Sequence, residues 1–177
     1  RTAPLRGPVS ARDNWLILET SGRTARVGLA RGGAVVGKAE LDQPRRHARE
    51  MISTVDALLK AEGLRPHGLS GVMACTGPGS YTGLRVGLTT AKALAYALGC
   101  ELRAVGAFWA VAHQSPADAP RVWVIADALQ GQVYAVESVY EVGRRLIQPL
   151  SREELFALEP LYLRGSSAEE KANEPRG

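Results

Sequence analysis

The chain has 177 residues, of which 45% are hydrophobic, and a formal net charge of +4. This composition supports a folded core and excludes an intrinsically disordered chain. No apolar run reaches the roughly 18 residues of a membrane-spanning helix, and only two isolated cysteines occur. We therefore expect a cytoplasmic protein with no membrane partner.

Basic residues are concentrated at the amino-terminal end of the chain. The first 49 residues hold ten Lys and Arg side chains against four Asp and Glu side chains. A basic region of this kind can lie near nucleic acid, but a solvated surface is the simpler interpretation. Residues 1–14 lack an apolar block, and we expect them to form a flexible basic tail.

Three strands joined by short turns are predicted next. Apolar runs indicate strands at Trp15–Glu19, Ala25–Ala30 and Ala34–Leu41. Gly32-Gly33, between the second and third strands, is a typical hairpin dipeptide. The pattern predicts an antiparallel meander.

A long amphipathic helix follows the meander. Pro44 suits its first position, and Gly63 is a typical terminator. Its apolar side chains recur at helical spacing on one face and are Met51, Ile52, Val55, Leu58 and Leu59.

The central segment runs from Val72 to Leu98 and predicts a buried strand, a tight turn and a helix over 83–98. Ser80 or Thr82 can cap the helix. The turn is a candidate signature loop made of Gly77, Pro78, Gly79, Ser80, Tyr81 and Thr82.

One stripe of the central helix carries almost no side chain. Gly83, Gly87, Ala91 and Ala95 recur every four residues, and each glycine costs about 1 kcal/mol of helix stability relative to alanine. A close neighbour must offset that cost. From the residues alone, the neighbour is either a helix of another protein or the sheet of the chain itself.

Beyond the central segment, the patterns predict a strand, a short helix and a second strand–turn–strand unit. These elements are Glu101–Val105, 106–113, Arg121–Ala126, the turn 127–131 and Val133–Val142. The last three repeat the arrangement of residues 15–30, which suggests a duplicated architecture. A short helix is predicted at 151–158.

We expect two lobes followed by a polar tail. The first lobe covers residues 15–105 and the second covers 106–165, and the loop 115–120 is the other candidate for the boundary between the lobes. Residues 166–177 form the tail.

Two phosphate-binding motifs were considered for the glycine turn. A P-loop requires a Lys directly after its last glycine, and here Leu84 follows Gly83 and the next Lys is Lys92, which excludes a P-loop. Gly77, Gly79 and Gly83, with Glu101 further on, leave a dinucleotide-binding fold as a minor alternative. A preceding antiparallel meander disfavours that fold.

Metal chemistry is not predicted. His47, His67 and His113 each lack a second histidine at helical spacing, whereas a helical metal motif needs such a pair. We expect no metal site and no catalytic residue.

Residues 77–99, GPGSYTGLRVGLTTAKALAYALG, closely resemble the signature of the TsaB (YeaZ) family. That family supplies the dimerisation subunits of the bacterial complex that makes the threonylcarbamoyl modification (t6A) on adenosine 37 of tRNA. WLILETSG at 15–22, IADALQGQVYAV at 125–136 and EPLYLRG at 159–165 also resemble family segments. The resemblance implies an α/β, two-lobed actin-like ATPase fold (ASKHA, ribonuclease H-like, peptidase M22-like), with an abbreviated second lobe.

The resemblance further implies a non-catalytic subunit that binds and activates the catalytic paralogue TsaD. It implies the ATPase TsaE as a second partner, a homodimer when alone and only indirect contact with tRNA. An actin-fold transferase or glycoprotease-like enzyme acting on its own is the alternative. The partner interface expected from the first two helices comprises Met51, Val55, Gly83, Arg85, Gly87, Ala91 and Ala95.

Two departures from the family pattern bear on nucleotide chemistry. Glu19 stands where members usually carry Asp, and Leu129 and Gln130 replace a basic residue after Asp127. The longer acid suits a phosphate-bound metal poorly, and the missing guanidinium removes a phosphate donor. We expect Glu19 and Asp127 to face a vestigial cleft, with no cofactor of its own and ATP or ADP only at the partner interface.

Overall fold

The structure is a computed structural model, and it describes residues 13–41, 47–114, 121–129 and 132–139. These ranges contain seven strands, three α-helices and one 3-10 turn. The strands are β1 (Asn14–Glu19), β2 (Ala25–Arg31), β3 (Ala34–Leu41), β4 (Gly71–Cys75), β5 (Glu101–Val105), β6 (Arg121–Leu129) and β7 (Gln132–Val139). The helices are α1 (His47–Ala61), α2 (Tyr81–Leu98) and α3 (Ala107–Ala112), with a short 3-10 turn at Pro66–Gly68.

The first five strands form one mixed sheet in the order β3-β2-β1-β4-β5. β1 pairs antiparallel with β2, and β2 with β3, which confirms the predicted meander. Gly32 and Gly33 both have positive φ, as the tight hairpin between β2 and β3 requires. β1 pairs in parallel with β4, and β4 with β5. An antiparallel pair at the centre of this order is not a dinucleotide-binding arrangement, so that alternative is wrong.

Helices α1 and α2 pack side by side on one face of the sheet. Alternate residues of the strands point to this face, because successive side chains of a strand point in opposite directions. Together the two layers form one apolar core. Its fully buried larger side chains include Leu16, Leu18, Val27, Leu29, Met51, Val72, Leu84 and Leu102.

The second strand pair, β6 and β7, forms a separate antiparallel sheet that contacts α3. This confirms the predicted strand–turn–strand unit but corrects its turn. β6 continues through Leu129, so Asp127 lies in a strand opposite Val133 and not in a turn.

Several element boundaries differ slightly from the predictions. β1 begins at Asn14, which had been assigned to the tail, and α2 begins at Tyr81 instead of residue 83. The start predicted for α1 at Pro44 and the helix predicted at 151–158 lie outside the described residues, and the lobe boundaries stay a prediction. Within the described part of the chain, no helix is both long enough and apolar enough to cross a lipid bilayer.

Candidate functional site

The candidate site lies at one edge of the five-stranded sheet. β1, β4 and β5 are neighbours and run in the same direction, so their carboxyl ends lie together. Three connections meet there: the turn 20–24 after β1, the loop 76–80 after β4, and Gly106 after β5. We call this region the carboxyl edge.

The loop after β4 is tied to the connection that follows β5. The N–H of Thr76 donates to the carbonyl of Val105 (2.9 Å), and the N–H of Ala107 donates to the carbonyl of Gly77 (2.7 Å). Gly77 has a φ of 96°, and the Gly77-Pro78 peptide bond is cis. The signature loop is therefore held by its own backbone neighbours.

Ser80 connects the loop to both α2 and the turn after β1. Its hydroxyl oxygen accepts a hydrogen bond from the N–H of Gly83 (3.2 Å), which confirms Ser80 as the N-cap. Its own N–H donates to the carbonyl of Ser21 (2.7 Å). The glycine loop thus lies directly on the β1–β2 turn.

Three glycines make this close approach possible. A Cβ atom at Gly79 would lie less than 3.0 Å from the carbonyl oxygen of Ser21. At Gly83 it would meet the carbonyl oxygen of Thr20 equally closely, and at Gly87 it would meet the Thr20 hydroxyl oxygen. Gly83 and Gly87 are four residues apart on one face of α2, and Gly79 lies in the loop directly before the helix. Together the three positions form one groove at the start of α2. The β1–β2 turn is seated in this groove.

The small-residue stripe therefore serves the chain itself, which corrects the predicted partner interface. Six of the seven residues of that predicted interface are buried within this chain. The four residues of the stripe let α2 approach its own sheet and the β1–β2 turn, and the two residues on α1 belong to the apolar core. The six are Met51, Val55, Gly83, Gly87, Ala91 and Ala95. Of the predicted set, Arg85 alone is exposed, and its guanidinium lies 4.4 Å from the ring centroid of Tyr81.

The sides of α1 and α2 that face away from the sheet carry other residues. Ile52 on α1 is 54% exposed, and Tyr96 on α2 is 58% exposed. Thr89 and Ala93 lie with Arg85 on the exposed side of α2. We call these surfaces the outer faces. Tyr96 and Ile52 were not part of the predicted interface, because that prediction was based on the stripe of small residues. The large apolar side chains that remain exposed on the two helices were not considered.

The turn after β1 is organised by its own acidic residue. One carboxylate oxygen of Glu19 accepts hydrogen bonds from the N–H of Ser21 (2.7 Å) and from the Ser21 hydroxyl. Thr20, between them, is fully buried, and its hydroxyl oxygen has no hydrogen-bond partner among the residues that the structure describes. Glu19 is therefore used to shape the turn.

Cys75, at the end of β4, is buried at the same edge. Burial raises the pKa of its thiol above the usual value, and the nearby Glu19 carboxylate raises it further. A thiol that resists ionisation is a poor nucleophile, so Cys75 belongs to the packing of the edge.

The two acids predicted to face a cleft are not brought together by described contacts. Glu19 lies at the carboxyl edge, while Asp127 lies in β6, where only its backbone is described. Their facing arrangement stays a prediction. Among the described residues, no group of three or more His, Cys, Asp or Glu side chains could hold a metal ion.

Comparison with known proteins places the chain in a family. A family model described as TsaD, tRNA N6-adenosine threonylcarbamoyltransferase, matches residues 35–174. The tRNA threonylcarbamoyladenosine biosynthesis protein TsaB of Bacillus subtilis (strain 168) is 32% identical over 128 residues, which are 72% of this chain and 56% of that protein. TsaB of Escherichia coli (strain K12) is 32% identical over 126 residues, which are 69% of this chain and 53% of that protein.

The fold agrees with a solved structure, YeaZ from Pseudomonas aeruginosa, at a TM-score of 0.65 and 26% identity. The likeness covers 78% of this chain and 65% of that one. The chain belongs to the TsaB (YeaZ) family. The predicted actin-like α/β fold is thereby confirmed. The chain spans about half the length of the curated TsaB relatives that it matches, and the abbreviated second lobe stays a prediction.

Proposed function

We propose that the chain is a non-catalytic subunit of the machinery that makes t6A at position 37 of tRNA. In this role it binds the catalytic threonylcarbamoyltransferase, TsaD, and activates it. The names of its relatives support this assignment, because two TsaB proteins are described as tRNA threonylcarbamoyladenosine biosynthesis proteins. The matching family model carries the name of the transferase itself.

The observation that carries the proposal is the exposed apolar surface on the paired helices. Ile52 and Tyr96 are each more than half exposed on α1 and α2. Tyr and Arg side chains are enriched in protein interfaces, where a few of them supply most of the binding energy. We assign the contact with TsaD to the outer faces, with Ile52, Tyr96 and Arg85 at its centre.

The remaining partners follow from the same role. The isolated chain forms a homodimer through the outer faces, because in the absence of TsaD the same apolar surface is exposed and available to a second copy. TsaE joins the assembly, tRNA is contacted indirectly, and any ATP or ADP lies at the interface with TsaD. The complex works in the cytoplasm.

Reconstituted t6A synthesis tests the proposal. TsaD, TsaE, the threonylcarbamoyl donor and unmodified tRNA are combined with and without the chain, and modified adenosine is measured. We expect product only when TsaD and the chain are both present. Product formation by the chain without TsaD would instead favour the independent enzyme, and equal product formation by TsaD without the chain would remove the activating role.

A further inference from the structure

The actin-like fold implies a nucleotide phosphate at the carboxyl edge. Protein sites for phosphate are built from backbone N–H groups that point at the anion, often beside a helix N-terminus. The turn after β1 and the loop after β4 stand where such donors would be needed. Whether the edge fits a phosphate therefore depends on what its N–H groups already bind.

Five backbone donors at the carboxyl edge are engaged within the chain. Each donates a hydrogen bond of 2.7–3.2 Å to an acceptor in a neighbouring connection, in the adjacent strand or in its own turn. The pairs are Ser21 to the Glu19 carboxylate, Thr76 to the Val105 carbonyl, Ser80 to the Ser21 carbonyl, Gly83 to the Ser80 hydroxyl and Ala107 to the Gly77 carbonyl. A phosphate would have to break these bonds to use the same five donors.

Among the acceptors at the carboxyl edge, Glu19 bears most directly on phosphate binding. Its carboxylate receives both the N–H and the hydroxyl of Ser21, so an anionic acceptor already occupies these two donors of the turn. It is also negatively charged, so it repels a phosphate that approaches the same donors. The residues present do not fit a nucleotide phosphate at this turn.

The groove of glycines strengthens the same conclusion. Gly79 and Gly83 bring the loop and α2 against the backbone of Thr20 and Ser21 with no space for even one added Cβ atom. A phosphate group is much larger than a methyl group. The space between the turn and the start of α2 is therefore filled by the chain.

We infer that the Glu19 carboxylate occupies the place of an anionic ligand on the β1–β2 turn and closes the carboxyl edge to nucleotide phosphates. This inference is independent of the proposed partner role, which concerns the outer faces. It also predicts that removal of Glu19 opens a site for a small oxyanion at the Ser21 N–H and hydroxyl.

Backbone amide NMR of the full chain tests the inference. Magnesium-ATP and inorganic phosphate are each titrated to millimolar concentration into the wild type, Glu19→Ala and Glu40→Ala, while the Ser21 amide resonance is followed. Glu40 is the matched control, because its carboxylate is exposed and paired with Arg26 on the neighbouring strand. We expect a saturable phosphate-dependent shift in Glu19→Ala and none in the other two proteins.

Two results would overturn the inference. A saturable shift of the wild-type Ser21 resonance with either ligand would show that the edge is open. A folded Glu19→Ala protein with no shift would show that Glu19 does not stand in for an anion. If that variant does not fold, Glu19→Gln, which removes only the charge, replaces it, and a folded Glu19→Gln protein with no shift would overturn the inference in the same way. TsaD binding by Glu19→Ala is measured separately and is expected to equal that of the wild type.

Discussion

The hydroxyl oxygen of Thr20 lies against the backbone of Gly87, in the space that a Cβ atom at position 87 would occupy. The two residues are far apart in sequence, and their contact fixes α2 on the turn that follows β1. It also explains why the helix accepts a glycine that weakens it. The glycine stripe makes packing contacts within the chain, and the surface available to a partner lies on the opposite sides of the helices.

Gly87→Ala is expected to destabilise the protein although alanine favours helix. The new methyl group would overlap the Thr20 hydroxyl and press on its Cγ2 and Cβ atoms at 3.0 and 3.1 Å. Overpacking of this kind costs about 1–3 kcal/mol, more than the roughly 1 kcal/mol gained in helix propensity. Urea unfolding measures the change, with Gly22→Ala as control because its Cβ would make only ordinary contacts.

Thr20→Ala should suppress the effect of Gly87→Ala. Alanine removes the hydroxyl oxygen and Cγ2 that the new methyl group meets and leaves only the Cβ contact, so the second substitution should cost much less in this background. A double-mutant cycle should give a coupling of about 1–2 kcal/mol. Additive effects of the two substitutions would show that Thr20 and Gly87 are not in contact.

Gly83→Ala is expected to cost more than Gly87→Ala and to resist the same rescue. Its Cβ would meet the backbone oxygen of Thr20, which no side-chain change at residue 20 removes. The backbone there is also fixed by the hydrogen bond between Ser21 and Ser80. Thermal unfolding of Gly83→Ala in the wild-type and Thr20→Ala backgrounds should give the same loss. A full recovery in the second background would be inconsistent with this geometry.

The two thiols should differ in reactivity. Burial raises the pKa of the thiol in both Cys75 and Cys100, and the Glu19 carboxylate raises the pKa of Cys75 further. Since the thiolate is the reactive form, both should react slowly at neutral pH and faster as the pH rises above the usual thiol pKa. Cys100 is only half-buried, so it should react first with iodoacetamide. Mass spectrometry of Cys100→Ser against Cys75→Ser measures the order, and faster labelling of Cys75 would contradict the description of the carboxyl edge.

Local features of the fold could be predicted from the sequence because they depend on neighbouring residues. Gly32-Gly33 indicated the hairpin, and apolar runs indicated the strands of the first sheet. Ser80 and Thr82 were the two candidate caps of α2, and the structure shows that Ser80 is the N-cap. These signals arise from turn chemistry, capping and side-chain periodicity. Each operates over a few positions of the chain.

The role of the glycine stripe could not be predicted in the same way. A repeat of small residues shows that something approaches closely, but the approaching residue, Thr20, is distant in sequence from Gly83 and Gly87. Similarly, Asp127 resembled a turn residue, but β6 continues through a register shift between Asp127 and Leu129. In both cases tertiary packing decided between interpretations that the local sequence left open.

The affinity for TsaD tests the central claim that the outer faces bind the partner while the glycine groove serves the fold. Titration calorimetry compares the wild type with Tyr96→Glu and Ile52→Glu, and with Val35→Glu, a control that is 65% exposed on the edge strand β3. The account predicts a loss of about tenfold or more for the two helix variants, corresponding to at least ~1.4 kcal/mol, and no change for the control. Wild-type affinity in folded Tyr96→Glu and Ile52→Glu proteins would contradict it.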